Sequence, residues 1–327
     1  RKNNPNVQEL EDAICILEES EYGIATTTGM SAIALSLSLL KPGQTIVLNK
    51  YIYGCTFKLF QWYAGHYGMN LIVEDLSQGT TVAHDADFVF FETPTNPFLM
   101  TLDISGIVES YKKANSKCLI VVDNTWGTPL YQKPCSLGAD ISLHSATKYI
   151  SGHSDVMGGI ILTNNSKISE QLRSQRFYVG ANLDAHSAWL LRRSLHTLEV
   201  RLEKQGKTTK TIAAYLRKKS EVTKVYYPKI DGVQLKNYAT LLFFDLEASL
   251  VHKYPHFCKA LKLFSTGTGM ACVTSMVAQP YTGSHASMNE LEKMEMGLFP
   301  HTIRLSFGLE NEDDLINDLE NAFKALN

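Results

Sequence analysis

The chain has little of what would direct it to a membrane or a polyanion. Its longest apolar stretches, such as ADFVFFETP and KCLIVVDN, are strand-length and fall short of the ~20 residues a bilayer span needs. Charge of one sign is also missing: 31 basic against 33 acidic side chains leave a net charge of −2. No basic block exists to neutralise a run of phosphates, so neither nucleic acid nor membrane is expected as a partner. The six cysteines lie far apart, at 15, 55, 118, 135, 258 and 272. They form no CxxC pair and no zinc spacing, and a chain of 327 residues has no need of disulfide staples. Reduced thiols in the cytoplasm, and no metal, are the expectation. No G-x-G-x-x-G follows the first strand, which argues against a dinucleotide-binding oxidoreductase.

What is present is a βα succession. VQELEDAICILEE reads as a helix, GIATTT as a strand and GMSAIALSLSLL as a helix opening at Gly29. TIVLN, NLIVED, ADFVFFE, CLIVVDN, GADISLHS and GGIILTN follow as short apolar or β-branched runs, with a helix between Asp103 and Asn115. Such runs separated by helices indicate an α/β fold with a mostly parallel central sheet and helices on both faces. From about residue 185 the pattern changes to one long helix over 187–219, then sparser strands (TKVYYP, ATLLFFDL, TIRLSFGL) and a last helix opening on Asn311. This predicts a large domain over 1–205 and a smaller C-terminal α+β domain over 206–327.

Ligands of parallel sheets sit beyond the carboxyl ends of the strands. Asp123 ends CLIVVDN, and Lys148 follows ISLHSATK, so an acid and an amine are expected at one rim. A desolvated amine there suits Schiff-base chemistry. Pyridoxal 5'-phosphate needs both groups, the lysine for an imine and the carboxylate for the pyridine nitrogen. A structural ion pair is the alternative for these two residues alone. TTTGMSA adds a strand, a glycine and a helix start, with Thr28, Gly29 and Met30 at its mouth, and Ser145 and Thr147 add hydroxyls beside the lysine. A helix amino terminus with small hydroxyls suits a phosphate dianion.

These segments belong to a longer set: RKNNPN, TTGMSA, YGCTF, ETPTNP, VVDNTWGTP, HSATKYISGHSD and RLSFGLE. Through them the whole chain resembles the Cys/Met metabolism family of pyridoxal-phosphate enzymes, which includes cystathionine γ-synthase, cystathionine lyases and methionine γ-lyase. The resemblance implies the fold-type I transferase-like architecture, with Lys148 as Schiff-base lysine and proton shuttle, Asp123 on the pyridine nitrogen, Asn96 near the phenolic oxygen and Tyr53 stacked on the ring. It implies a phosphate cup of Gly29, Met30, Ser145 and Thr147, with Arg1 reaching into a neighbouring subunit's site. Arg304 would grip the α-carboxylate of an amino-acid substrate, as a guanidinium fork suits, and Ser275 and Cys55 would lie on the substrate side. Shared sites imply a homotetramer built from dimers, and residues upstream of Arg1 are expected. His144, His153 and Asp155 are read as structural.

Several positions depart from the family pattern: Gly269 and Thr274 in GTGMACVTSM, Ser194 and His196 in RRSLHTL, and Ala185. The segments SQGTTVAHD and PKIDGVQLKN are short against the family. Cys55 stands where methionine γ-lyases tend to carry cysteine and favours a carbon–sulfur lyase, although a small buried thiol explains it equally well. The resulting expectation is a lyase acting at the β or γ carbon of a sulfur-containing amino acid. A γ-replacement synthase joining a thiol to an activated homoserine ester comes second, and a noncatalytic scaffold third.

Overall fold

The computed structural model describes residues 4–78 and 85–326; Arg1, and residues 79–84 at the heart of SQGTTVAHD, lie outside the described residues. The larger sheet contains β1 (Tyr22–Thr26), β2 (Thr45–Asn49), β3 (Asn70–Glu74), β4 (Phe88–Glu92), β5 (Leu119–Asp123), β6 (Ile141–Ser145) and β7 (Gly159–Thr163), ordered β1-β7-β6-β5-β4-β2-β3. Strands β3, β2, β4, β5 and β6 are parallel neighbours. β7 runs antiparallel to β6, and β1 antiparallel to β7, so β1 again points with the parallel set. The carboxyl ends of six strands therefore meet at one rim.

Both faces of this sheet are buried because alternate side chains serve different cores. Along β4, Phe88 and Phe90 enter one cluster and Val89 and Phe91 another. Helices α1 (Pro5–Glu18), α2 (Gly29–Leu37), α3 (Gly54–Tyr67), α4 (Ile104–Ala114), the short α5 (Thr128–Tyr131), α6 (Ser166–Val179) and α7 (Ala185–Leu195) accompany it. On the α3 face Phe60 lies 5.0 Å, centroid to centroid, from Phe90. The caps follow sequence chemistry: Asp103 accepts from Gly106 N–H ahead of α4, and Asn165 from Lys167 and Ile168 N–H ahead of α6.

A second sheet, ordered β10-β11-β12-β9-β8, comprises β8 (Val222–Tyr226), β9 (Leu241–Leu246), β10 (Ser265–Thr266), β11 (Met276–Ala278) and β12 (Thr302–Ser306). β10 and β11 were not expected; at two and three residues they carry no periodicity. Helices α8 (Leu198–Leu216), α9 (Tyr254–Ala260) and α11 (Glu312–Lys324) pack on this sheet through Ile212, Leu216, Phe257 and Phe323, and α10 (Glu290–Met296) joins the core of the larger sheet through Met296. Asn311 caps α11 as its sequence predicts.

The single helix expected over 187–219 is two helices, α7 and α8, with a turn at His196 and Thr197. Arg201 explains the break. Its buried guanidinium donates to the Ser194 carbonyl at 3.0 Å, the Thr197 hydroxyl at 3.2 Å and the Tyr149 carbonyl at 2.9 Å, capturing a carbonyl at the end of α7 and tying the turn to the residue after Lys148. Gly152 completes the arrangement: its φ is +68°, and a Cβ there would lie 2.0 Å from Arg201 Nη1. The expected division at 205/206 falls inside α8.

Phe90→Ala should destabilise the protein by about 3–5 kcal/mol through lost burial and a residual cavity, measured by urea denaturation.

Candidate active site

The candidate residues occupy the rim. Asp123 is the last residue of β5, and Lys148 sits in the turn immediately after β6, where its N–H donates to the Ser145 carbonyl at 3.0 Å. Gly29 and Met30 open α2 after β1, Tyr53 precedes α3 after β2, and Asn96 follows β4. Arg304 comes from the other sheet, in the middle of β12.

Helix α2 is docked on the end of β6 without an intervening side chain. A Cβ on Gly29 would lie 2.8 Å from Ser145 Cβ and 2.9 Å from its Oγ, so only glycine permits the approach. Thr28 caps the helix in a reciprocal box with Ser31. The amino terminus of α2, with its partial positive charge, thus abuts the Ser145 side chain. Ser145 N–H donates to Thr125 Oγ1 at 2.8 Å, and Thr147 exchanges hydrogen bonds with the backbone of Gly158.

The floor is a cluster of ionisable groups. Asp123 accepts from Thr125 N–H at 2.9 Å; burial raises its carboxyl above the usual range, while hydrogen bonds from Thr125 and the charge of His144 oppose the rise. Behind it, His144 Nε2 and Glu18 Oε2 are 2.5 Å apart, both buried, and Asn124 donates to the same Glu18 oxygen. Glu92 ends β4 and is in register with Asp123. It is 1% exposed, and burial, reinforced by Asp123, pushes its carboxyl well above the usual range. Glu92 Oε1 accepts from Tyr53 N–H at 2.7 Å. The Tyr53 phenol is itself pushed up to about 12, first by burial and then by its hydrogen bond with Cys55. Asn96 is buried and its Oδ1 has no hydrogen-bond partner.

Facing this floor are two cations without acids. Arg304 is 1% exposed. It donates to the carbonyls of Thr268 and Gly269 at 2.9 and 3.0 Å and approaches Met270 Sδ at 3.8 Å, while its Nε is unpartnered. Burial lowers its basicity to about 10. Lys148 is lowered as well, by burial and then by the Arg304 charge. Among the described residues neither cation forms a salt bridge. A cavity of about 770 Å³ reaches Lys148 past Thr27, Thr147, Asn182, Gly269 and Met270. Gly269 is coupled to Met276, whose Sδ would lie 2.5 Å from a Cβ at that position. Ser275 is committed elsewhere: its hydroxyl donates to Glu310 at 2.8 Å and accepts from Gly308 N–H at 2.9 Å. The Thr274 hydroxyl lies 3.4 Å from the Cys272 thiol.

Two groups that sequence reasoning passed over belong here. Glu92 had a signal, an acid closing an otherwise apolar strand as Asp123 does. His285 had none: Nε2 donates to the Ile52 carbonyl at 3.2 Å and Nδ1 accepts from Ser284 at 3.0 Å, clasping the turn that carries Tyr53 to a segment from far along the chain. His153 bonds only within its own turn, to Ser151.

The residues present fit pyridoxal phosphate: a cradle at Gly29 that a Cβ would fill, a buried Asn96 whose Oδ1 is unpartnered, a carboxylate at a strand end and a lysine of lowered basicity. Fold and site together define a fold-type I pyridoxal-phosphate enzyme. The chain belongs to the Cys/Met metabolism PLP-dependent enzyme family, whose model matches residues 1–324. It is similar to L-methionine gamma-lyase of Fusobacterium nucleatum subsp. nucleatum, with 34% identity over 341 residues covering 100% of this chain and 86% of the relative. Cystathionine beta-lyase MetC of Bacillus subtilis is 35% identical over 338 residues, with coverage of 100% and 86%. The crystal structure of cystathionine gamma synthase from Xanthomonas oryzae pv. oryzae with aminoacrylate and cysteine matches with a TM-score of 0.94, 33% identity and coverage of 99% and 87%. Among the described residues no helix is long and apolar enough to cross a membrane.

Burial lowers His285 from 6.5 to about 4, so the unfolded chain takes up its proton first. Its stabilising contribution is complete above pH 6.5 and is lost as the pH falls through about 4. His285→Gln should flatten the fall in urea midpoint across that window.

Proposed function

We propose that this chain is a pyridoxal-phosphate lyase acting at the β or γ carbon of a sulfur-containing amino acid. The observation that carries the reading is the nearness of a buried Arg304, in no salt bridge among the described residues, to Lys148, whose basicity burial and the Arg304 charge lower. A substrate that is at once a carboxylate and an amine answers both. When bound, the cofactor supplies an electron sink for the charge that develops at the substrate's α carbon.

Each residue has a role in this reading. Lys148 would hold the cofactor, and its Nζ would take the proton from the substrate's α carbon. Asp123 would pair with the cofactor's ring nitrogen, and the Asn96 NH₂ would donate to its phenolic oxygen. Gly29, Met30, Ser145 and Thr147 bind the phosphate, joined by Arg1 of a neighbouring subunit. Tyr53 would cover the ring and assist departure of the leaving group as a general acid; its phenol, raised to about 12, is protonated at neutral pH. Arg304 grips the α-carboxylate. Cys55, hydrogen-bonded to Tyr53, borders the side-chain end of the substrate. Ser275 supports the substrate wall by bracing its loop to Glu310. The relatives named methionine gamma-lyase and cystathionine beta-lyase support the lyase; the likeness to cystathionine gamma synthase supports γ-replacement as a second reading. A large cofactor domain to residue 205, a small domain beyond it, assembly as a homotetramer and a cytoplasmic location complete the proposal.

A panel of methionine, cystathionine, cysteine and O-acylated homoserines, scored for 2-oxo acid, ammonia and thiol, tests it. Keto acid and ammonia from a single amino acid are expected. Strict dependence on an added thiol would establish the synthase, and no turnover by cofactor-loaded protein would sink both. Lys148→Ala should abolish the visible absorption of the bound cofactor. Arg304→Gln should cost roughly 2–5 kcal/mol in kcat/KM, since it removes one partner of a buried charge pair.

A further inference from the structure

Glu92 and Asp123 end neighbouring parallel strands in register, so two carboxyl groups share one floor, with Glu92 fully buried and Asp123 partly so. No lysine or arginine forms a salt bridge with either among the described residues. Two carboxylates so placed do not both ionise. The groups facing them decide which keeps its charge. Asp123 receives the Thr125 N–H at 2.9 Å and the Thr125 hydroxyl, and it feels His144, which is held by Glu18. Glu92 receives the Tyr53 N–H at 2.7 Å on Oε1 and is favoured by the Trp126 indole, while its Oε2 has no hydrogen-bond partner. Asp123 also has the greater access to the crevice.

We propose that Glu92 is a positioning residue held as a neutral carboxylic acid: its carbonyl oxygen anchors Tyr53 through the backbone, and its proton leaves Asp123 as the single anion for the cofactor's ring nitrogen. This rests on the cofactor reading for its purpose but not for its proton. An acid here tolerates the low dielectric that an anion does not, and Tyr53 is tied to the same group that keeps the floor at one negative charge. The stacking residue and the counter-ion are therefore set by one side chain.

Difference infrared spectroscopy of cofactor-free protein carrying ¹³C-labelled glutamate reads the proton directly. A protonated-carboxyl band that shifts in D₂O at neutral pH and vanishes in Glu92→Gln is expected; its absence from wild type overturns the proposal. Glu92→Gln, neutral but still an acceptor for Tyr53 N–H, should keep cofactor affinity within about threefold and leave the pH profile of the visible spectrum unchanged, whereas Glu92→Leu, lacking the acceptor, should weaken cofactor binding about tenfold. A loss in Glu92→Gln as large as that in Asp123→Asn would place the working charge on Glu92 and overturn the assignment. Failure of wild type to take up cofactor would strike the cofactor reading alone, because the infrared band is read without it.

Discussion

The site depends on a close approach of backbone to backbone. Because Gly29 has no side chain, α2 seats its amino terminus on the end of β6, three residues before Lys148. A helix terminus, a serine side chain and the turn bearing the lysine thus become one rigid body. Arg201 and Gly152 secure the same turn from the opposite side, so the amine is held between two contacts that leave no room for adjustment. Precision of this kind is what a covalent cofactor site requires, since small misplacements of a reacting group are costly.

Around that body the protein buries charge without completing it. Among the described residues Arg304 and Lys148 form no salt bridge, Glu92 and Asp123 form none with a lysine or arginine, and Asn96 has an idle oxygen. Buried, unpaired groups of this sort destabilise a fold. The surrounding architecture tolerates them because the sheet that bears Glu92 and Asp123 is covered on both faces by aromatic and branched side chains, and β12, which bears Arg304, is packed into the core of the second.

Much of this was legible in the sequence. Lys148, Asp123 and Gly29 announce themselves by position, as a lysine after a strand, an acid at a strand end and a glycine at a helix start, and the structure brings all three to one rim. Glu92 obeys the same rule as Asp123 but closes a run dominated by phenylalanine and was absorbed into it. His285 was invisible because its partner, the Ile52 carbonyl, belongs to a distant segment. The break between α7 and α8 was missed since hydrophobic spacing runs straight through it and neither proline nor glycine marks it; a guanidinium capturing a helix-end carbonyl leaves no periodic trace. The bonds of the Ser275 hydroxyl to Glu310 and Gly308 leave no trace in the sequence, because tertiary geometry sets that pairing.

The edge of the larger sheet has a bearing on biosynthesis. β1 is among the first strands to leave the ribosome, but its ladder partner is β7, which is translated only after five other strands have emerged. Until then α1 is the local cover for its apolar residues, through Leu10 and Ile14 against Ala25. The strand that precedes Gly29 is thus among the last to be locked into this sheet, and until β7 emerges its edge has no ladder partner, a template for mispairing.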